Sequence, residues 1–226
     1  MKKSDYEDFQ IYSSKYLDTL WGVLMFEIGS CIGRIFQNKR PPKQEKIQLL
    51  NLGCGLSIYK GWVNSDFYNN LMFWNQRKFE NIWMQDFRYA LNCPDDYWDG
   101  VFAEHTLEHM YPNQAIFLLK EIKRTLKVNG WLRISVPDLD KYVKFYVNKE
   151  NKDFKKYWRI GASAIWSLTQ NWGHRSVWDY ELLEHNLKDI GFREIRKVGY
   201  RKGTFKAIIK DNINRKWESL YVEAQK

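Results

Sequence analysis

From residue 47 onward the chain alternates short apolar runs with turn-forming or helical stretches. The runs fall at 47–52, 62–65, 82–85, 99–103 and 131–136, lengths that suit buried strands better than helices. Between the last two, Pro112 opens a helical pattern in which Ala115, Ile116, Leu118, Leu119, Ile122 and Leu126 share one face, and Asn129-Gly130 closes it. A helix between two buried strands is a crossover, and right-handed crossovers build parallel sheets. The pattern therefore predicts an α/β fold with a doubly wound, mostly parallel sheet and helices on both faces. Beyond Pro137, residues 138–148 and 152–168 read as helices. Asp179 caps a further helix through Leu182, Leu183, Leu187 and Ile190 that stops at Gly191, and 192–198 and 220–224 read as closing strands.

Upstream of this pattern, Leu17, Leu20, Trp21, Leu24, Ile28, Cys31, Ile32 and Ile35 recur at helical spacing over 17–36, an apolar stripe on an amphipathic helix. Glu27 and Arg34 interrupt it, and it falls short of the roughly 20 apolar residues that cross a bilayer. No small-residue cleavage site follows, so it does not read as a signal peptide. The expectation is that the stripe packs on the main domain, with contact to a membrane surface as the alternative. The polar, proline-bearing stretch 40–46 then divides the chain into an N-terminal helical extension and linker (1–45) and one domain (46–226), with 138–180 as a helical insertion.

A chain of 226 residues suits one sizeable domain of this kind. Charged residues at 28% and hydrophobic ones at 44% exclude a disordered chain. An excess of 36 Lys and Arg over 27 Asp and Glu gives +9, which favours anionic partners, although the excess is spread along the chain like a solvated basic surface. Cys31, Cys54 and Cys93 lack metal or disulfide spacing and fit a reducing cytoplasm.

In an open α/β sheet, ligands bind beyond the carboxyl ends of the strands. The first such end is Asn51-Leu-Gly53-Cys54-Gly55, a strand running into a turn whose glycines let a ligand approach the backbone. The second ends at Asp66, a carboxylate suited to both hydroxyls of a ribose. The third ends in Gln85-Asp86-Phe87, a carboxylate beside an aromatic face, and the fourth in Glu104-His105. The stretch His105-Thr-Leu-Glu108-His109 matches H-x-x-E-H, the zinc motif of inverted metallopeptidases. It begins at a strand end, so its histidines do not share one helical face, and His174 and His185 offer no evident pairing with it. The expectation is a chance match, no metal, and Glu108 and His109 as packing or surface residues.

Taken together, LLNLGCG (49–55), GWVNSDF (61–67), the stretch 85–110, LKEIKRTLKVNGWLRISVPDLDKYV (119–143), the stretch 173–192 and SLYVEAQK (219–226) resemble the class I S-adenosylmethionine-dependent methyltransferases of the type 11 subgroup. The resemblance implies a Rossmann-like methyltransferase fold with S-adenosylmethionine as cofactor. Gly53, Cys54 and Gly55 would contact it through backbone, Asp66 would bind the ribose, and Asp86 and Phe87 would hold the adenine. Glu104 and His105 would flank the methyl-bearing end. Asn51 stands where many members carry an acidic residue that helps hold the cofactor's amino group, and Ser57 where a third glycine is frequent.

If the acceptor is a hydroxyl, a base is needed, and His105 and His174 are the candidates because imidazole titrates near neutral pH. Residues 166–178 carry Trp172 and Arg175 and could form an acceptor wall, which makes 138–180 the acceptor side. The place after the fourth strand reads Ala103-Glu-His-Thr106 and lacks the Asn/Asp-Pro-Pro-Tyr/Phe turn of exocyclic-amine nucleic-acid methyltransferases. A sugar, glycan or other small-molecule acceptor is therefore favoured over nucleic acid. The alternative is a basic binding module that keeps the fold, without turnover, for RNA or another anionic partner.

Overall fold

The structure, a computed structural model, describes residues 20–36, 38–67, 82–149 and 151–226. Seven strands form one sheet: β1 (Leu49–Leu52), β2 (Val63–Asp66), β3 (Ile82–Met84), β4 (Trp98–Glu104), β5 (Leu126–Pro137), β6 (Arg193–Val198) and β7 (Ser219–Gln225). Their order is β3-β2-β1-β4-β5-β7-β6. Strands β1 to β5 pair in parallel, while β7 runs antiparallel to both β5 and β6. The order reverses between β1 and β4, so their carboxyl tips frame the switch-point crevice.

Side-chain alternation divides the core between the two faces of the sheet. Leu50, Leu52, Val101, Ala103, Leu132, Ile134 and Val136 pack against helix α2 (Pro112–Thr125) through Ala115, Leu118, Leu119 and Ile122, and against α6 (Tyr180–Ile190) through Leu183 and Leu187. On the other face Leu49 and Phe102 meet Ile208, Phe205, Tyr59 and Trp62. Among the described residues, turns and single 3-10 turns from 55–62 and 199–218 cover that face, where the sequence pattern predicts helices on both. Arg133 also points there. It is fully buried and donates to Asp211 (Nε to Oδ1, 2.6 Å) and Glu223 (Nη1 to Oε1, 2.9 Å).

Two element boundaries differ from the periodic reading. Helix α2 stops at Thr125, and Leu126 opens β5 opposite Trp98, because Lys226 pairs with the backbone that follows: Asn129 N donates to Lys226 O and Lys226 N to Gly130 O. The stretch 152–168 breaks into α4 (Lys152–Tyr157) and α5 (Gly161–Gln170). A Cβ at Gly161 would lie 2.9 Å from Tyr146 Cα, so α5 needs its glycine to cross α3 (Leu139–Asn148) this closely. Asp179 caps α6 as the sequence predicts, accepting from Leu182 N, and Gly191 ends it at φ 90°.

Helix α1 (Leu20–Phe36) exists but presents the unexpected face. Gly22, Ser30 and Gly33 are its buried residues, whereas Leu20, Trp21, Leu24, Ile28, Ile32, Ile35 and Phe36 are exposed. The expectation that the apolar stripe packs on the domain is thus corrected, with Leu17 lying outside the described residues. The reason is electrostatic: the domain offers a buried carboxylate and a guanidinium at this place, and the small, polar face of α1 is the one that can pair with them. No helix among the described residues is long and apolar enough to cross a membrane.

Candidate active site

At the switch point, a cavity of about 520 Å³ opens over the tips of β1, β2 and β4. Its volume is in the range of small-molecule sites. Gly53 leaves β1 at φ 69°, and a Cβ there would drive into Thr106, with Cγ2 only 2.6 Å away. Thr106 itself donates to Leu52 O at 3.1 Å, so it is fixed against the strand end. Gly55 is also left-handed, but nothing lies within 4 Å of its would-be Cβ. Its N–H donates to Asp66 Oδ2 at 2.6 Å, and Phe67 N donates to Oδ1 at 2.7 Å. The Cys54 thiol also reaches Oδ2 at 3.9 Å, so Oδ1 is the oxygen that keeps a lone pair for a ligand hydroxyl. Gly53, Gly55 and Asp66 all line the cavity.

Cys54 turns its side chain inward, where burial and then Asp66 push the thiol up to about 12, so it stays protonated and unreactive. Asn51 is buried below the cavity and does not line it. Its Nδ2 donates to Ser57 O (2.7 Å) and Asn64 Oδ1 (3.0 Å), which fastens the glycine turn to β2.

Asp86 and Phe87 reach the wall from the end of β3. The Asp86 carboxylate is already engaged. Ser30 Oγ donates to Oδ2, joined by Arg34 Nη1 at 2.9 Å and Arg88 Nη2 at 2.9 Å, while Arg88 Nε (2.9 Å) and N (3.1 Å) reach Oδ1. Burial pushes its pKa up, but the hydrogen bonds from Arg88 and Ser30 outweigh this and hold it below the ordinary carboxylate value. Arg88 also pairs with Glu27. Helix α1 is thereby clasped to the cavity, which Val23, Phe26 and Glu27 help to line. Phe26 stacks on Phe67 with centroids 4.5 Å apart.

The tip of β4 separates two neighbours. Glu104 is not part of the lining: it follows Phe102 on the face opposite Ala103 and accepts from Asn212 N at 2.9 Å. His105, at φ 50°, turns into the cavity wall. Ser219 Oγ donates its proton to Arg215 O, so it accepts one from His105 Nε2 at 2.7 Å. Nδ1 lies 3.2 Å from Glu108 Oε1. Nε2 of His105 is therefore bonded to Ser219 and Nδ1 faces the buried Glu108, so neither is turned to a substrate.

Residues 107–109 form a single 3-10 turn, so H-x-x-E-H is not laid out on one helical face. Yet His174 does pair with this turn, against the sequence expectation: its ring meets that of His109 with centroids 5.0 Å apart. His174 Nδ1 donates to Leu168 O at 2.7 Å, and the ring does not line the cavity, whereas the exposed His109 does. Burial lowers the His174 pKa, partly countered by Glu108. Trp172, Gly173 and Arg175 complete this end with Met110, Tyr111 and Gln114. The Arg175 guanidinium lies 5.5 Å over the Tyr111 ring. Sequence reasoning missed His109 and the α1 residues. The first was inside a motif judged by helical spacing, and the second sat on the face that periodicity marked as solvent-facing.

A family described as a methyltransferase domain matches residues 50–134. Among solved structures, the chain is similar to a SAM-dependent methyltransferase from Archaeoglobus fulgidus at 17% identity, covering 92% of this chain and all of that one with a TM-score of 0.51. It is also similar to a SAM-dependent methyltransferase from Aquifex aeolicus at 15% identity, covering 99% of each chain with a TM-score of 0.46. No curated protein matches. At 17% identity the likeness to the Archaeoglobus fulgidus structure speaks for the fold, and the domain match covers β1 through most of β5. The match makes residues 50–134 similar to a methyltransferase domain, and the sheet order is that of a Rossmann-like methyltransferase fold, for which S-adenosylmethionine is the expected cofactor.

Proposed function

We propose that the cavity binds S-adenosylmethionine and that the chain methylates a hydroxyl of a sugar, glycan or other small-molecule acceptor. The observation that carries this reading is the glycine turn at Gly53–Gly55, which opens with Asp66 onto a cavity that runs on to an aromatic and imidazole-lined end. The cofactor, when bound, supplies a methyl on a sulfonium: the acceptor O–C bond forms as the S–C bond breaks and the electron pair returns to sulfur. The chain's part is to align and to manage charge. Backbone at 53–55 cradles the cofactor, Asp66 accepts from the ribose hydroxyls, and Phe87 backs the adenine. Asp86 serves this site by fixing Arg88 and α1. Trp172 and Arg175 form the acceptor wall. Proton removal belongs to the imidazole end, where His109 offers the accessible edge, His174 stands behind it and His105 positions Glu108.

Calorimetry with S-adenosylhomocysteine is the first test. Asp66→Ala should weaken binding at least about tenfold, the worth of a charge-assisted hydrogen bond, and labelled methyl should appear on members of a saccharide panel. Absence of binding at millimolar cofactor, together with salt-sensitive RNA binding, would instead establish the non-catalytic basic module that the +9 charge allows.

The open apolar face of α1 favours a second feature, peripheral contact with a lipid surface, which would bring the cavity to membrane-borne acceptors. The free Cys31, Cys54 and Cys93 suit a reducing cytoplasm.

A further inference from the structure

Behind the cofactor cradle, Glu108, His109 and His174 bring a carboxylate oxygen and two imidazole nitrogens within 4.8 Å of one another. The backbone fixes this meeting. The Glu108 carbonyl accepts from Arg175 N (2.7 Å) and Ser176 N (3.1 Å), which ties the segment carrying His174 to the turn carrying Glu108 and His109. His174 Nδ1 donates to Leu168 O, leaving the lone pair on Nε2. A carbonyl behind a histidine in this way fixes the tautomer of a metal ligand. The Glu108 side chain is 1% exposed. Among the described residues its oxygens make no well-aligned hydrogen bond, and the group that faces them is His105, with Nδ1 3.2 Å from Oε1. A fully buried carboxylate faced by one imidazole keeps acceptor capacity on its other lone pairs, and a cation is the partner that would use it.

We propose that Glu108, His109 and His174 form a binding site for a divalent transition-metal ion of the zinc class, with an open coordination position toward the acceptor end of the cavity. Two imidazoles and a carboxylate are a donor set that zinc accepts while keeping a position free. Ligand bonds of about 2.0–2.1 Å require donor atoms about 3.3 Å apart. The exposed His109 closes most of that difference by rotation. His105 then acts as an outer support, held by Ser219 on one side and facing Glu108 on the other. The ligands are thus not those of the H-x-x-E-H motif, because the turn removes His105 from the set and the fold supplies His174. Only the ion's use, lowering the pKa of an acceptor hydroxyl in place of proton removal by His109, rests on the methyltransferase reading.

The test is equilibrium dialysis of the chelator-stripped full chain against micromolar zinc chloride, with cobalt(II) as a visible-absorption probe. One ion per chain is expected, with a cobalt spectrum that His109→Ala and His174→Ala abolish. Each variant should lose at least about 100-fold in affinity, beyond the range of an outer-support change. His185→Ala, which removes an exposed histidine beside Asp189, should bind as the wild type does. Because His109 is exposed, its variant keeps the fold and the result stays readable. Zinc at well below one per chain, or His109→Ala binding as tightly as wild type, overturns the site. Calorimetry with S-adenosylhomocysteine on the same samples separates the two readings: cofactor binding without zinc removes the metal site alone, and zinc binding without cofactor removes the methyltransferase reading alone.

Discussion

At Gly53, two independent constraints meet on one residue: a left-handed backbone and a Thr106 side chain occupying the place of a Cβ. Alanine there would cost about 1–2 kcal/mol for the conformation alone and would displace Thr106 from Leu52 O. Gly53→Ala should therefore lower the melting temperature and abolish cofactor binding, whereas Gly55→Ala, with open space around its Cβ, should retain the fold and lose affinity through crowding of the cavity. Differential scanning calorimetry beside cofactor titration distinguishes the pair, and equal melting points for both variants would show that Thr106 yields freely. The glycine turn and Asp66 were legible in the sequence because strand-end chemistry is local. The engagement of Asp86 by Ser30 and Arg34 was not, since it joins residues more than fifty positions apart whose types are unremarkable singly. Glu104 was misplaced for a simpler reason: it alternates with Ala103 and so shares the face of Phe102, whereas His105, past the strand end at φ 50°, turns into the cavity wall.

At the scale of elements, α1 shows how a hydrophobic stripe can mark the outside of a helix. Periodicity located the helix but not its orientation, because Ser30, with Gly22 and Gly33 buried on the same face, wins the inward position through its bond to Asp86, a term that a hydropathy pattern does not contain. The outer face then exposes Trp21, Leu24, Ile28 and Ile35 together, an arrangement that calls for a cover. A lipid surface is testable by flotation with vesicles containing anionic lipid. Wild type should co-float, and Leu24→Gln with Ile28→Gln should reduce the floated fraction severalfold while leaving cofactor binding intact, because neither side chain lines the cavity. Equal flotation of the two proteins would assign the face to some other role. The remaining boundary shifts, at Thr125 and at 158–160, arise from pairing with Lys226 and from a helix crossing, both long-range contacts that propensity cannot see.

For the molecule as a whole, among the described residues the sheet's second face is covered by the connection 199–218, and its hold is largely ionic. Arg133 reaches out from β5 to Asp211 and Glu223 and to the carbonyls of Lys202 (3.0 Å) and Gly199 (3.3 Å), while Arg201 N and Thr204 N cap the two carboxylates from the far side. The same loop carries Phe205 and Ile208 onto Leu49 and Phe102, so the buried cluster sets the position of the hydrophobic cover over β1 and β4, the strands whose tips make the site. Removing the cation leaves two buried carboxylates without their counter-charge, a loss of about 3–5 kcal/mol. For a chain of this length Arg133→Ala should then melt on the order of 10 °C lower. Arg133→Met with Asp211→Asn and Glu223→Gln, which removes all three charges, should recover part of that loss, as expected if uncompensated charge rather than lost volume is the cause. A triple variant melting at or below Arg133→Ala would refute the ionic account and put the stability of this face in the packing of Phe205 and Ile208 instead.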